Sequence, residues 1–409
     1  MGTATLRPSE AFEYYKGTIY WNNFEIVQLY INQAISGDRP KNWSQHVRDR
    51  YGCFENGLFI NCGNGWVERD LFREGLIQKA IGFDISETLI QAAVAEAARI
   101  GMPFAYTVDD ANRTDLGGVD VGLVVNHGAM HHVAYVDRLT RRLCKMLARG
   151  GIYVAFDYTG PHRNQYSWTA WSAMIELNSS LPERFRARLA YPRIRTMLDT
   201  DPTEAIHSEL QIDVLRRYFD LQQFVPLGGG LAYHILYENI KLYNERQTPE
   251  GAQTLRRVME ADRAFLAANP ESNLFSFWVA TPKPDAFNNE LALVEWENEE
   301  SLREERAAQN GGRYYKESAL EIIYDEIANL RDEIVNLRQG LSPVGHLPDA
   351  GIRNSNTELA AAENRALVAE QNLANTQAML EAVYASTSWR VTSSLRRVRR
   401  LLRRELPRA

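Results

Sequence analysis

The stretch Leu58-Phe59-Ile60-Asn61-Cys62-Gly63-Asn64-Gly65, followed by Trp66-Val67-Glu68-Arg69-Asp70-Leu71, constrains the fold more than any other part of the chain. An apolar, β-favouring run enters a turn of small and polar residues, and an amphipathic helix pattern begins at once; the order predicts strand, glycine turn, helix. Such a turn brings backbone N–H groups and a helix N-terminus up to a ligand. A second short strand, Ala80-Ile81-Gly82-Phe83-Asp84, ends in a carboxylate, where doubly wound sheets hold a ribose hydroxyl pair. The two together predict a nucleotide-like ligand.

The alternation continues. Strands are expected at 58–62, 80–84, 103–108, 119–126 and 151–157, and helices at 66–75, 86–100 and 135–149, with Gly150-Gly151 stopping the last helix. Such βαβ units imply a parallel sheet with ligands at the strand C-termini. Strand-like runs at Phe219–Pro226 and Leu274–Ala280 complete the expected α/β fold, a Rossmann-like, seven-stranded, mostly parallel sheet with helices on both faces. The helix-rich stretch 162–217 reads as an insertion, a helical lid over the sheet edge. Residues 1–50, rich in aromatics, read as an N-terminal helical cap on the domain at 51–284.

Composition shifts after Pro284. A linker is expected at 285–317 and a coiled coil at 318–341, where Leu320, Ile323, Ile327, Leu330, Ile334, Leu337 and Leu341 alternate in steps of three and four. Two prolines and a glycine break the helix within 342–354, and a weaker seam returns at 355–385. The tail, 386–409, carries eight Arg against the single Glu405 from Arg390 onward, with Val391, Leu395, Val398 and Leu402 on one face. That pattern suits an anionic membrane surface. The net charge of −6 argues against wholesale nucleic-acid binding. Cys53, Cys62 and Cys144 form no disulfide framework, and neither a signal peptide nor a membrane-spanning run is expected, which points to the cytoplasm, with the tail at the inner face of its membrane.

Glycine spacing narrows the ligand. A dinucleotide turn wants a third glycine so that pyrophosphate can sit on the helix N-terminus, but Glu68 stands there, and its charge suits a cationic ligand better. At this point the sequence over residues 50–283 resembles the class I S-adenosylmethionine-dependent methyltransferases. Cys62, Gly63, Asn64 and Gly65 match the family's first motif, while Asn61 stands in for its first glycine and Phe59 for its acidic residue. The resemblance implies S-adenosyl-L-methionine as cofactor, contacted by Asn61, Cys62, Gly63, Asn64, Gly65, Asp84, Ile85, Asp110, Ala111 and Asn126. Asp84 would accept the ribose hydroxyls, and Asp110-Ala111-Asn112 would hold the adenine amino group.

Asn126-His127-Gly128-Ala129-Met130-His131-His132 follows the fourth strand, where that family places residues between cofactor and substrate. The reaction implied is in-line methyl displacement, and a sugar hydroxyl acceptor would gain from a base or metal. His127, His131 and His162 are the candidate catalytic residues, with His132 and His207 as further bases. Metal binding is not expected, because no carboxylate follows the histidines before Asp137. Glu68 is expected to be an ordinary first-turn helix acid. The segments 157–166, 181–184, 205–208 and 226–229 resemble a bacterial branch linked to surface-polysaccharide and lipopolysaccharide biosynthesis, and Ser386-Thr387-Ser388-Trp389-Arg390-Val391-Thr392 resembles an end segment of glycan-assembly enzymes. These imply a glycan or glycolipid substrate, and a coiled-coil homo-oligomer or glycan-assembly partner. Two competitors stay open: a catalytically inactive scaffold or chain-length regulator, motivated by Phe59 and Asn61, and a nicotinamide-dependent oxidoreductase, disfavoured by Glu68.

Overall fold

The computed structural model describes residues 18–114, 116 and 120–286. The linker at 285–317, apart from its first two residues, lies outside the described residues, as do the coiled coils at 318–341 and 355–385, the break between them and the tail. Among the described residues no helix is long and apolar enough to cross a membrane. The chain divides into two units, and every element used below to build the site belongs to the first, residues 1–189 and 196–316.

Seven strands form one sheet in the order β3-β2-β1-β4-β5-β7-β6: β1 (Phe54–Ile60), β2 (Ile77–Asp84), β3 (Phe104–Val108), β4 (Val121–His127), β5 (Leu147–Tyr158), β6 (Phe219–Gly228) and β7 (Phe275–Pro282). The first five run parallel, and β7 is antiparallel to both β5 and β6. Strand order therefore reverses direction between β1 and β4, the switch point at which open α/β sheets bind ligands. Leu58, Phe59 and Ile60 are all buried, as a central parallel strand covered on both faces requires.

The helices are α1 (Glu25–Ser36), α2 (Trp43–Tyr51), α3 (Trp66–Arg73), α4 (Glu87–Arg99), α5 (Val136–Met146), α6 (Trp168–Ser179), α7 (Ile194–Thr200), α8 (Gln211–Tyr218), α9 (Ala232–Leu236), α10 (Ile240–Asn244) and α11 (Pro249–Ala268). Val136, Leu139, Leu143 and Cys144 of α5 and Val214, Leu215 and Tyr218 of α8 share one apolar core with Leu58, Val124, Ala155 and Trp278 of the sheet. Burying such side chains contributes about 1.5–3 kcal/mol each.

Most element ends differ by a few residues from the sequence expectation, and two of these differences bear on the site. The helix expected at 135–149 stops at Met146, and Gly150-Gly151 lie inside β5 instead of ending the helix. Strand β1 closes at Ile60, which leaves Asn61 and Cys62 to the turn. The 162–217 stretch is helix-rich, its short helices separated by irregular segments such as 186–193 and 201–207. The helices between β6 and β7 were not anticipated, although Thr248-Pro249 opens α11 with a capping hydroxyl that accepts from Gly251 N at 3.1 Å.

The part of the expected N-terminal cap within the described residues, 18–50, packs on the core, and residues 1–17 lie outside them. Trp21 stacks on Phe275 at 5.1 Å between ring centroids, and Phe24 meets Tyr243 edge-on at 5.3 Å. Asn42 caps α2 by accepting from Gln45 N, and its amide donates to Glu74, docking α2 against the turn after α3.

Candidate active site

The turn after β1 shows why its residue types are small and polar. Asn61, Gly63 and Gly65 all take positive φ, at 45°, 56° and 70°. Asn is among the few side chains that tolerate this region, so it can serve where the motif usually has glycine. Asn61 also ties the turn to the loop after β4, its Nδ2 donating to Ala129 O at 3.2 Å. A Cβ on Gly63 would meet open space, whereas on Gly65 it would come within 2.9 Å of the Tyr106 hydroxyl. The turn is thus packed from behind and open in front, the side from which a ligand can reach its backbone.

Asp84 sits at the C-terminal end of β2, buried. One carboxylate oxygen accepts from Gly63 N at 2.9 Å and the other from Ser86 N at 2.8 Å, so it braces the turn and the start of α4 together. Burial pushes its pKa up, against those two bonds. Each oxygen retains a second lone pair for a hydroxyl. Ile85 next to it, Val108 at the end of β3 and Trp66 at the start of α3 are exposed by 70%, 52% and 50%. They give the C-terminal rim of the first three strands an apolar lip. Asp110 accepts from both nitrogens of Asn112, and buried Asn112 in turn accepts from Ala134 N and Tyr135 N. The loop carrying Asp110 and Ala111 is thereby fixed to the entry of α5.

Glu68 is not a solvent-facing helix acid. It is 1% exposed, and neither carboxylate oxygen has a hydrogen bond. Cys62 Sγ and the Tyr106 hydroxyl lie beside it without a well-formed hydrogen bond to it. Burial pushes its pKa up to about 8. The same burial, reinforced by Glu68, holds the Cys62 thiol and the Tyr106 phenol protonated.

The predicted histidines separate into three settings. His127 stacks on Phe156 at 5.2 Å, meets Trp66 edge-on at 5.1 Å and lies 6.1 Å from Trp43. Burial lowers its pKa to about 4, so it is a neutral member of an aromatic cluster. His162 is held by Ile206 O at 2.6 Å and His207 by Ala134 O at 2.7 Å, their ring centroids 6.2 Å apart. Burial also lowers the pKa of His162 to about 4.

His131 and His132 lie together, with ring centroids 4.2 Å apart. His131 Nδ1 is 2.6 Å from Asp157 Oδ1 at the end of β5, and His132 Nδ1 is 3.0 Å from Thr203 Oγ1. Burial opposes a charge on His131, but Asp157 outweighs it and raises the pKa to about 9. His132 is shifted down, by burial and then by His131. Asn126 is fully buried; its Nδ2 donates to Asp157 Oδ2 at 2.9 Å, and its Oδ1 accepts from Ala129 N and Met130 N. Its polar atoms thereby shape the loop after β4 from within.

Sequence reasoning missed Asp157, Glu204 and Trp66 as site residues. Asp157 carried a usable signal, since it ends a parallel strand at the ligand-binding edge. Glu204 carried none, because only the folded path of residues 201–207 brings it to the histidines.

Strand order, a positive-φ glycine turn at the switch point and a carboxylate closing β2 define an α/β cofactor-binding domain. Residues 58–155 match the model of a family described as a methyltransferase domain. That match supports a methyltransferase domain in this part of the chain, with S-adenosyl-L-methionine as its cofactor. No curated protein matches the chain. Among solved structures it is similar to the [4+2]-cyclase SpnF, at 14% identity over 59% of this chain and 79% of that one, with a TM-score of 0.37. An S-adenosylmethionine-dependent methyltransferase from Mesorhizobium loti is 18% identical over 57% of this chain and 92% of its own, with a TM-score of 0.34. Phosphoethanolamine N-methyltransferase 2 of Haemonchus contortus, in complex with S-adenosyl-L-methionine, is 15% identical over 66% and 61% respectively, with a TM-score of 0.39.

The residues present fit that cofactor. Gly63 leaves its front open, Asp84 retains acceptor capacity, and Ile85 and Val108 offer apolar cover. Glu68, buried and held protonated, lacks the charge by which the sequence reading had it favour a cationic ligand.

Proposed function

We propose that the protein O-methylates a sugar of a bacterial surface glycan or of its precursor. The observation that carries this reading is the polar cluster His131, His132, Asp157 and Glu204 at the ends of β4 and β5, partly open and next to the cofactor turn. A hydroxyl acceptor must lose a proton during transfer, and such a cluster can receive or stabilise it. The cofactor supplies a methyl group that is already activated. The protein's share is then alignment and exclusion of water.

In this reading Asn61, Cys62, Gly63, Asn64 and Gly65 present backbone to the amino-acid end of the cofactor. Asp84 and Ile85 hold the ribose and cover the base, with Asp110 and Ala111 at its amino group. Trp66, half-exposed beside neutral His127, is a platform for the apolar face of a sugar ring. The glycan assignment rests on the resemblance of residues 157–166, 181–184, 205–208 and 226–229, and of the 386–392 segment. The scaffold alternative loses part of its motivation at Asn61, which adopts the conformation a glycine would supply. The extension beyond residue 317 is proposed to oligomerise the enzyme or dock it to glycan-assembly machinery at the membrane surface.

Mass spectrometry of the surface glycan from cells with and without the protein tests the reading. A methyl group lost from one sugar hydroxyl supports it; loss from an amine or a phosphate, or no change in methylation, contradicts it.

A further inference from the structure

We infer that His131, His132 and Glu204 form a binding site for one divalent transition-metal ion of the zinc type. Glu204 Oε2 lies 3.8 Å from His131 Nε2 and 3.7 Å from His132 Nε2, and the three side chains can bring one ligand atom each to within 4.8 Å of the others. With metal–ligand bonds of about 2.1 Å, neighbouring ligands of a tetrahedral site stand about 3.4 Å apart. Glu204, its side chain 34% exposed, needs to close on each histidine by only a few tenths of an ångström, and the two histidine nitrogens, within 4.8 Å of each other, close by up to about 1.4 Å.

The hydrogen bonds behind the cluster settle which ring nitrogens face Glu204. Ionised Asp157 can only accept, so His131 Nδ1 is the donor in their 2.6 Å contact. Asp157 is itself fixed by Asn126 Nδ2, Met130 N and Tyr158 N. The Thr203 hydroxyl spends its hydrogen on Asp201 Oδ1 at 2.6 Å, so it too accepts, from His132 Nδ1 at 3.0 Å. In the neutral rings both Nε2 atoms are then lone-pair nitrogens turned toward a carboxylate. With His131 deprotonated the three converging atoms are all acceptors, so a cation can take the place of its proton there. Metal-bound histidines are characteristically held in this way, with the second nitrogen bonded to a carboxylate or other acceptor.

The path of the chain is arranged to deliver Glu204. Ile206 N donates to His131 O at 3.0 Å, and Arg163 N and Nη1 donate to the carbonyls of Ala205 and Glu204. Ala205, fully buried, holds φ at 50°, a conformation that an alanine adopts only when its surroundings impose it. Two imidazoles and one carboxylate favour zinc-type ions over magnesium, which prefers oxygen ligands. The three side chains are 12%, 22% and 34% exposed, which leaves a coordination position open to solvent or substrate. The further role, that this open position receives the acceptor oxygen and eases loss of its proton, rests on the function proposed above.

The full chain, stripped with a chelator and titrated with Co²⁺, tests the site by visible d–d absorption. The expected result is one tight equivalent with a tetrahedral-type spectrum, displaced by Zn²⁺. Glu204→Gln, close in shape, and His132→Ala should each weaken binding about tenfold or more. His46→Ala, whose ring is bonded to Gln223 elsewhere, should leave it unchanged. Near-ultraviolet dichroism confirms that each variant is folded. No binding to the folded wild type, or equal binding by Glu204→Gln and His132→Ala, overturns the site. Tight binding together with methyl transfer that is indifferent to stripping keeps the site and overturns its acceptor role alone.

Discussion

Replacing Glu68 by Gln should make the domain more stable at pH 8 while leaving it nearly unchanged at pH 5. The carboxyl is 1% exposed, both its oxygens lack hydrogen bonds, and burial lifts its pKa from 4.5 to about 8. In the unfolded chain it ionises near its ordinary value, so between these two pH values the folded state holds a proton that the unfolded state has released. Stability therefore falls as pH rises, by about 1.4 kcal/mol per pH unit for this one group, and levels off above its folded pKa. Over the whole interval the loss is roughly 3–5 kcal/mol, a large part of a domain's usual margin. Glutamine keeps the shape and cannot ionise, so its variant escapes the loss. Denaturant midpoints of wild type and Glu68→Gln at pH 5, 6, 7 and 8 measure it. The gap should open steadily in favour of the variant; parallel pH profiles would falsify the claim that Glu68 is buried and protonated.

Further expectations follow from the same packing. Asp84→Ala leaves the N–H groups of Gly63 and Ser86 without their acceptor and should weaken S-adenosylhomocysteine binding by about 1–3 kcal/mol in calorimetry; unchanged affinity would mean the turn does not depend on it. Gly82→Ala places a Cβ 2.8 Å from the Tyr106 ring and should cost about 1–3 kcal/mol in thermal or chemical denaturation, since that ring is wedged against Cys62 and the turn. At Asn61, with its φ of 45°, Gly should be tolerated and Val should destabilise by roughly 1–3 kcal/mol, as read by melting temperature. Trp66→Ala should leave stability within about 0.5 kcal/mol, its ring being half-exposed, and raise the KM for the acceptor; an unchanged KM would remove Trp66 from the substrate side.

Much of the fold was legible because its signals are local. The run from Leu58 to Leu71 fixes strand, turn and helix by residue type alone, and Asp84 follows at the next strand end. Gly150-Gly151 misled for a physical reason: glycines stop helices, but here the helix had already ended at Met146 and the pair lies in the long strand β5. Glu68 was misread because its position in the first turn fits a surface acid equally well, and only the packing of Tyr106 across Gly82 shows that α3 buries that face. The acceptor-side cluster was half legible. His131 and His132 stand out beside β4, whereas Asp157 and Glu204 reach them from β5 and from a strained strap at Ala205, and no local pattern announces a contact of that range.

Cofactor binding is the property on which methyl transfer by this protein depends most directly. Calorimetric titration of the full chain with S-adenosylhomocysteine should give saturable binding with one ligand per chain, and Asp84→Ala should weaken it. A folded protein that takes up no S-adenosylhomocysteine, while its denaturation shows the domain intact, would contradict the methyltransferase reading and favour a scaffold that keeps the fold without the cofactor.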